Sequence, residues 1–135
     1  MKRILLLVAG LMILLMTGCI DGKKAEEESL EQENIEHDIS QLSLLRSRID
    51  TECHEEKVYS TITNNWVKVS SDGTITSDNP ALENNLKGLA GGKITLKSKK
   101  FTGGGEIKFF ISFNDKTYKF DITPVEDVIA TVKSN

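Results

Sequence analysis

Cys19, His37, Cys53 and His54 are the side chains best suited to soft-metal ligation or thiol chemistry, and their spacing supports neither. Cys53 and His54 are adjacent, and on a helix neighbouring residues point about 100° apart, so they cannot share one ligand. His37 lies 17 residues from His54, without the repeated short spacing of a zinc site. Gly103-Gly104-Gly105 lacks the lysine and following hydroxyl of a phosphate loop and reads as a hairpin connection. No Gly-x-Ser-x-Gly elbow occurs, and no Cys-His pair has a third group to orient it. The many carboxylates between Glu26 and Glu56 have the ordinary meaning of a solvated acidic helix face. No catalytic residues, metal ligands or cofactor are therefore expected, and the chain reads as a non-enzyme.

The one position with a defined chemical fate is Cys19. Lys2 and Arg3 form a short positive start, and residues 4–16 are apolar apart from Gly10. Met16-Thr17-Gly18 then lead directly to Cys19. The thirteen residues 4–16 reach about 20 Å as a helix, short of the roughly 30 Å needed to span a bilayer. The run Met16-Thr17-Gly18-Cys19 resembles the lipobox of bacterial lipoproteins, with Met16 where that family more often has Leu. The resemblance covers residues 1–19 alone. It implies a cleaved signal peptide over 1–18, a diacylglyceryl thioether on Cys19 and an acylated new amino terminus. By analogy within Gram-negative lipoproteins, Ile20 rather than Asp after the cysteine favours the outer membrane, facing the periplasm, over the inner membrane. A membrane contact through lipid on Cys19 follows, together with a protein partner in the cell envelope and no nucleic acid.

Cleavage before Cys19 leaves 117 residues, enough for one small domain and an arm. Charge divides them. Residues 21–56 hold 12 acidic and 4 basic residues, whereas residues 57–135 hold 8 acidic and 11 basic. An acidic arm thus carries a mildly basic body.

These segments set the elements expected to position any site. Residues 19–25 read as a lipidated tether, and 26–63 as an acidic amphipathic helix, since no Pro or Gly occurs between Lys23 and Asp72. Ile35, Leu42 and Ile49 recur every seven residues, with Ile39, Leu45 and Cys53 beside them. That stripe can pack on the protein's own sheet or on a second copy, and Cys53 has no intramolecular partner once Cys19 is lipidated. An intermolecular disulfide through Cys53 is one reading, and a buried thiol is the other.

Residues 64–135 read as a small α+β domain. Trp66–Ser70 and Thr74–Thr76 flank Ser71-Asp72-Gly73, a hairpin signal. Asp78 or Asn79 caps a helix opening at Pro80, with Leu82, Leu86 and Leu89 on one face and Gly91-Gly92 ending it. Three alternating strands follow around Ile94 and Leu96, Ile107 to Phe113, and Tyr118 to Ile122. Thr123-Pro124-Val125-Glu126 matches a capping box before a last helix bearing Val125, Val128, Ile129 and Val132. The expected order is α-β-β-α-β-β-β-α, with an antiparallel sheet of about five strands and helices on one face.

If Ile107 and Phe109 face the core, Lys97, Lys99, Lys108, Phe110 and Lys119 share the opposite face, a candidate binding surface for an anionic partner. In layout the chain is similar to small envelope lipoproteins that escort secretion channels (pilotins) and to exclusion lipoproteins, which are non-enzymatic binders. The alternative is a phage outer-membrane spanin, a lipoprotein that dimerises through helices or a second cysteine during host lysis.

Overall fold

The computed structural model describes residues 22–103 and 106–132. Cys19, Gly104 and Gly105 lie outside the described residues, as does the side chain of Leu89. The longest element is α1, Gly22–Cys53, followed by a single turn, α2, Glu56–Tyr59. The strands β1, Asn64–Val69, and β2, Ile75–Ser77, precede the helix α3, Pro80–Ala90. Then come the short helix α4, Lys99–Thr102, the strands β3, Ile107–Asn114, and β4, Lys119–Ile122, and the final helix α5, Val125–Thr131. The four strands form one antiparallel sheet in the order β2-β1-β3-β4. The class is the expected α+β.

α1 ends at Cys53, ten residues before Thr63. The reason for the early end lies in its stripe. Leu42, Leu45, Ile49 and Cys53 are buried against the sheet. The next positions on that face would be Glu56, Lys57 and Ser60, which cannot enter an apolar core. The chain instead tightens, with the His54 amide donating to Thr51 O at 3.2 Å and Glu55 to Glu52 O at 3.1 Å. It restarts as α2, which turns Val58 inward.

The hairpin between β1 and β2 forms as the Asp-Gly pair requires. Gly73 adopts φ +88° and donates to Ser70 O at 2.9 Å, while the Thr74 amide donates to Asp72 Oδ1 at 3.0 Å. A Cβ on Gly73 would lie 1.9 Å from Ile94 O, so the glycine also admits the neighbouring chain. β2 is an edge strand, and its Ile75 and Ser77 amides are occupied by Gly92 O and the Glu83 carboxylate at 2.8 and 3.3 Å. Both contacts protect that edge from pairing with other chains. α3 opens as expected: Asn79 accepts from the Leu82 amide at 3.0 Å, Pro80 occupies the first turn, and Gly91 closes the helix at φ +64°.

The expected strand around Ile94 and Leu96 is absent, which leaves four strands among the described residues rather than about five. One isolated bridge, Thr74 to Lys93, is all that remains of it. The cause is Asp38, a fully buried carboxylate on α1. It accepts from the Lys97 amide at 2.9 and 3.1 Å and from the Ser98 amide at 2.8 Å, pulling the segment out of the sheet and onto the helix. Ser98 then caps α4 by accepting from the Phe101 amide at 3.3 Å, and Phe101 is driven into the core. Gly103, expected in a hairpin connection, instead closes that helix as its C-cap.

The core fills one face of the sheet. Val67, Val69, Ile75, Ile107, Phe109 and Ile111 meet the buried residues of α1 together with Leu82, Leu86, Phe101 and Val128. β4 is half the length of β3, and Thr123 continues its pairing one step by donating to Phe110 O at 3.0 Å. α5 then packs beside the first half of β3, where β4 has ended. The capping box does not form, because the Thr123 hydroxyl accepts from the Phe110 amide at 2.8 Å and Pro124 takes the cap position without a side-chain bond. Arg46 fastens this junction to α1 by donating to Thr123 O and Ile122 O, both at 3.1 Å.

Candidate functional site

Because the described helices pack on one face of the sheet, alternation along β1 and β3 decides what the other face presents. Asn65, Val67 and Val69 point inward, which sends Asn64, Trp66 and Lys68 outward. Ile107, Phe109 and Ile111 point inward on β3, which sends Lys108, Phe110 and Ser112 outward. The register sets Trp66 directly opposite Phe110, and Lys68 directly opposite Lys108. Two ammonium groups facing each other across strands repel. Here the aromatic pair and a carboxylate relieve that repulsion. Lys68 Nζ lies 4.3 Å from the Trp66 ring centre and 2.8 Å from Glu106 Oε1. Lys108 Nζ lies 5.3 Å from the Trp66 ring and 4.8 Å from the Phe110 ring. Hydrogen bonding to Lys68 holds the Glu106 carboxyl below its ordinary pKa.

The result is a patch of two aromatic rings interleaved with two cations. Phe110 is 57% exposed, and a shallow hollow of about 460 Å³ runs beside it over Asn64, Ser112, Asp121 and Pro124. Lys68 is ion-paired with Glu106, whereas Lys108 stacks on the aromatic rings and has no carboxylate within 4.0 Å among the described residues. Its charge still reaches Glu106, and Asp127 lines a hollow beside it. Such a surface can bind an acidic, partly apolar partner.

Of the candidate binding residues, Lys108 and Phe110 fall on this patch. Lys119 pairs with Asn114 and so shares the face, but six residues further along β3 from Lys108, about 20 Å away. Lys97 and Lys99 do not belong to it. With the strand at Ile94 absent, Lys97 sits in the segment tied to α1 and Lys99 begins α4, both on the helical side of the sheet. Trp66 and Lys68, the residues that complete the patch, alternate visibly with Val67 and Val69. What the sequence lacked was the pairing of β1 with β3.

A second aromatic group gathers where the β3-β4 hairpin overhangs the core. Phe113 packs on Phe120 at 5.2 Å between ring centres, Tyr59 of α2 stands 5.4 Å from Phe113, and His54 stands 5.1 Å from Phe120. Tyr118 extends the group, 6.4 Å from Phe113 and 74% exposed.

Cys53 is fully buried. Burial, reinforced by the negative charges of Asp50 and Glu52, pushes its thiol up to about 12. A thiol in that setting neither ionises near neutral pH nor reaches a second chain, which removes the basis for an intermolecular disulfide through Cys53. The Ile35-Leu42-Ile49 stripe likewise packs on the protein's own sheet rather than on a second copy. His37 Nδ1 lies 3.1 Å from Asp38 Oδ1, and His54 Nε2 lies 3.6 Å from Asp50 Oδ1. Among the described residues there is no group of three His, Cys, Asp or Glu side chains that could hold a metal ion, and no helix long and apolar enough to cross a membrane. No protein-family model, curated protein sequence or solved structure matches the chain.

Proposed function

We propose that this protein is a lipid-anchored binding module of the bacterial cell envelope, tethered through Cys19 and engaging an acidic protein partner with its open sheet face. It acts as an adaptor rather than an enzyme, in the manner of pilotins or exclusion lipoproteins. The observation that carries this reading is the Trp66–Phe110 cross-strand pair flanked by Lys68 and Lys108. Tryptophan is among the residues that dominate binding energies at protein interfaces, and an exposed phenylalanine amid charge gains most by being covered. Lys108 supplies a cation for a carboxylate on the partner. The spanin alternative gains nothing from a buried Cys53 or from a helix stripe committed to the core.

Two measurements test the proposal. Mass spectrometry of the amino-terminal peptide from membranes should show an acylated Cys19 as first residue; an intact Met1 start would overturn the envelope assignment. A photo-crosslinker at position 110 should give a discrete adduct in membranes that is lost in Lys108→Glu, while one at the exposed Lys57 on α2 gives none. Equal labelling at both positions would sink the docking face.

A further inference from the structure

Five large apolar side chains among the described residues are exposed: Leu30, Leu44, Tyr59, Phe110 and Tyr118. Three belong to the aromatic groups above. The remaining two, Leu30 and Leu44, both lie on α1, at 57% and 60% exposure. At roughly 100° per residue, a separation of 14 residues returns to within about 40° of the same direction, about 21 Å along the axis. His37 falls midway on that stripe. Leu44 lies about 100–160° around the helix from Leu45, Ile49 and Leu42, so the stripe flanks the one the core consumes without belonging to it.

The two ends of the stripe differ in charge. Leu30 is flanked by Glu26, Glu27, Glu31 and Glu33. Leu44 forms one lip of a hollow of about 220 Å³ between α1, α3 and the edge of β2. Its walls are Leu45, Ile75, Leu86 and Ile94, and Arg48 and Lys93 stand on its rim. Among the described residues neither cation lies within 4.0 Å of a carboxylate. The hollow is smaller than the roughly 300 Å³ at which small-molecule pockets begin. Its size suits one branched aliphatic side chain, and its rim suits a carboxylate beside that side chain.

We infer that the occupant is a second copy of this chain, paired through α1 in an antiparallel, two-fold arrangement. Leu30 of each copy enters the hollow beside Leu44 of the other, the acidic turn around Leu30 meets Arg48 and Lys93, and His37 faces its own symmetry mate. Residues whose numbers average 37 then meet, which also sets Glu26 against Arg48. A parallel pairing would set acidic turn against acidic turn and Arg48 against Arg48, so charge selects the antiparallel one. The stripe from Glu26 to Arg48 is about 33 Å long but only one helix face wide. It buries less than the roughly 800 Å² per partner of a stable interface. The pair is weak in dilute solution and favoured where both copies share a surface, which raises their effective concentration. The pairing itself needs no lipid and makes no use of the open sheet face.

Copper-catalysed oxidation of the full chain, both in membranes and as concentrated purified protein, tests the geometry independently of the lipid anchor, with the unsubstituted protein as background. His37→Cys should give a disulfide-linked dimer across the two-fold axis. Leu30→Cys and Leu44→Cys should each give none alone and a mixed dimer when co-expressed. Adding Arg48→Glu should cut the His37→Cys dimer at least tenfold, and Glu26→Lys should restore it. Self-linking of Leu30→Cys, or no dimer from any combination, would overturn the inference whatever the sheet face binds.

Discussion

Removing the Asp38 carboxylate should cost this fold more than any surface substitution, because one side chain holds the segment that declined to be a strand. In Asp38→Ala the Lys97 and Ser98 amides lose their acceptor. Each buried donor left unsatisfied costs about 1–3 kcal/mol, so the pair predicts a loss of about 3–4 kcal/mol once water reaches the more accessible Lys97 amide. Against a total of about 5–15 kcal/mol, that is a large fraction. With a urea dependence of about 1.5 kcal/mol per molar, the unfolding midpoint should fall by about 2–3 M. Asp38→Asn keeps one acceptor oxygen and should lose about half as much. The ionised form also makes the contribution pH-dependent. Burial raises the Asp38 pKa, but the Ser98 hydroxyl, the Ser98 and Lys97 amides and His37 outweigh it, and the net displacement is downward from 3.8. A carboxyl whose folded pKa is depressed stabilises fully above its unfolded value and loses that contribution as pH falls through the folded one. The gap between wild type and Asp38→Asn should therefore be constant above about pH 5 and shrink below about pH 3.8. Urea titrations read by circular dichroism measure both effects, and hydrogen exchange at Lys97 and Ser98 localises them. A loss under about 1 kcal/mol in Asp38→Ala with unchanged exchange at those amides would refute the account.

Other substitutions probe the remaining supports. Gly73→Ala places a methyl against Ile94 O in a left-handed backbone and should cost about 2–4 kcal/mol; an unchanged melting temperature would contradict the turn geometry. Arg46→Met removes both bonds to the β4–α5 junction and should cost about 1.5–3 kcal/mol, with faster hydrogen exchange concentrated in β4 and α5. Cys53 should resist thiol reagents at pH 8 until denaturant is added, and rapid native labelling would show that it is neither buried nor raised to about 12. Asn79→Ala should lower stability by about 1 kcal/mol through loss of the Leu82 amide cap, read from the same urea titrations.

Much of this protein was legible one element at a time. The Asp72-Gly73 hairpin, the Pro80 helix with its Asn79 cap and glycine stop, and the alternating β3 and β4 strands all rest on signals a few residues long. Local rules suffice where the stabilising contacts are themselves local. The chemistry proposed for Cys19 is likewise a property of its immediate neighbours along the chain.

Three features needed contacts between distant residues. Ile94 to Lys97 alternate like a strand, yet a carboxylate 59 residues away takes the Lys97 amide and leads the chain into α4. Lys97 and Lys99 left the candidate face for that reason, and Trp66 and Lys68 joined it because β1 pairs with β3 across a long connection. The fate of Cys53 turned on which side of α1 meets the sheet, since an amphipathic stripe fits its own core and a second helix equally well. Periodicity reports that a face is apolar, whereas the packing of the whole chain determines what covers it and leaves Leu30 and Leu44 outside.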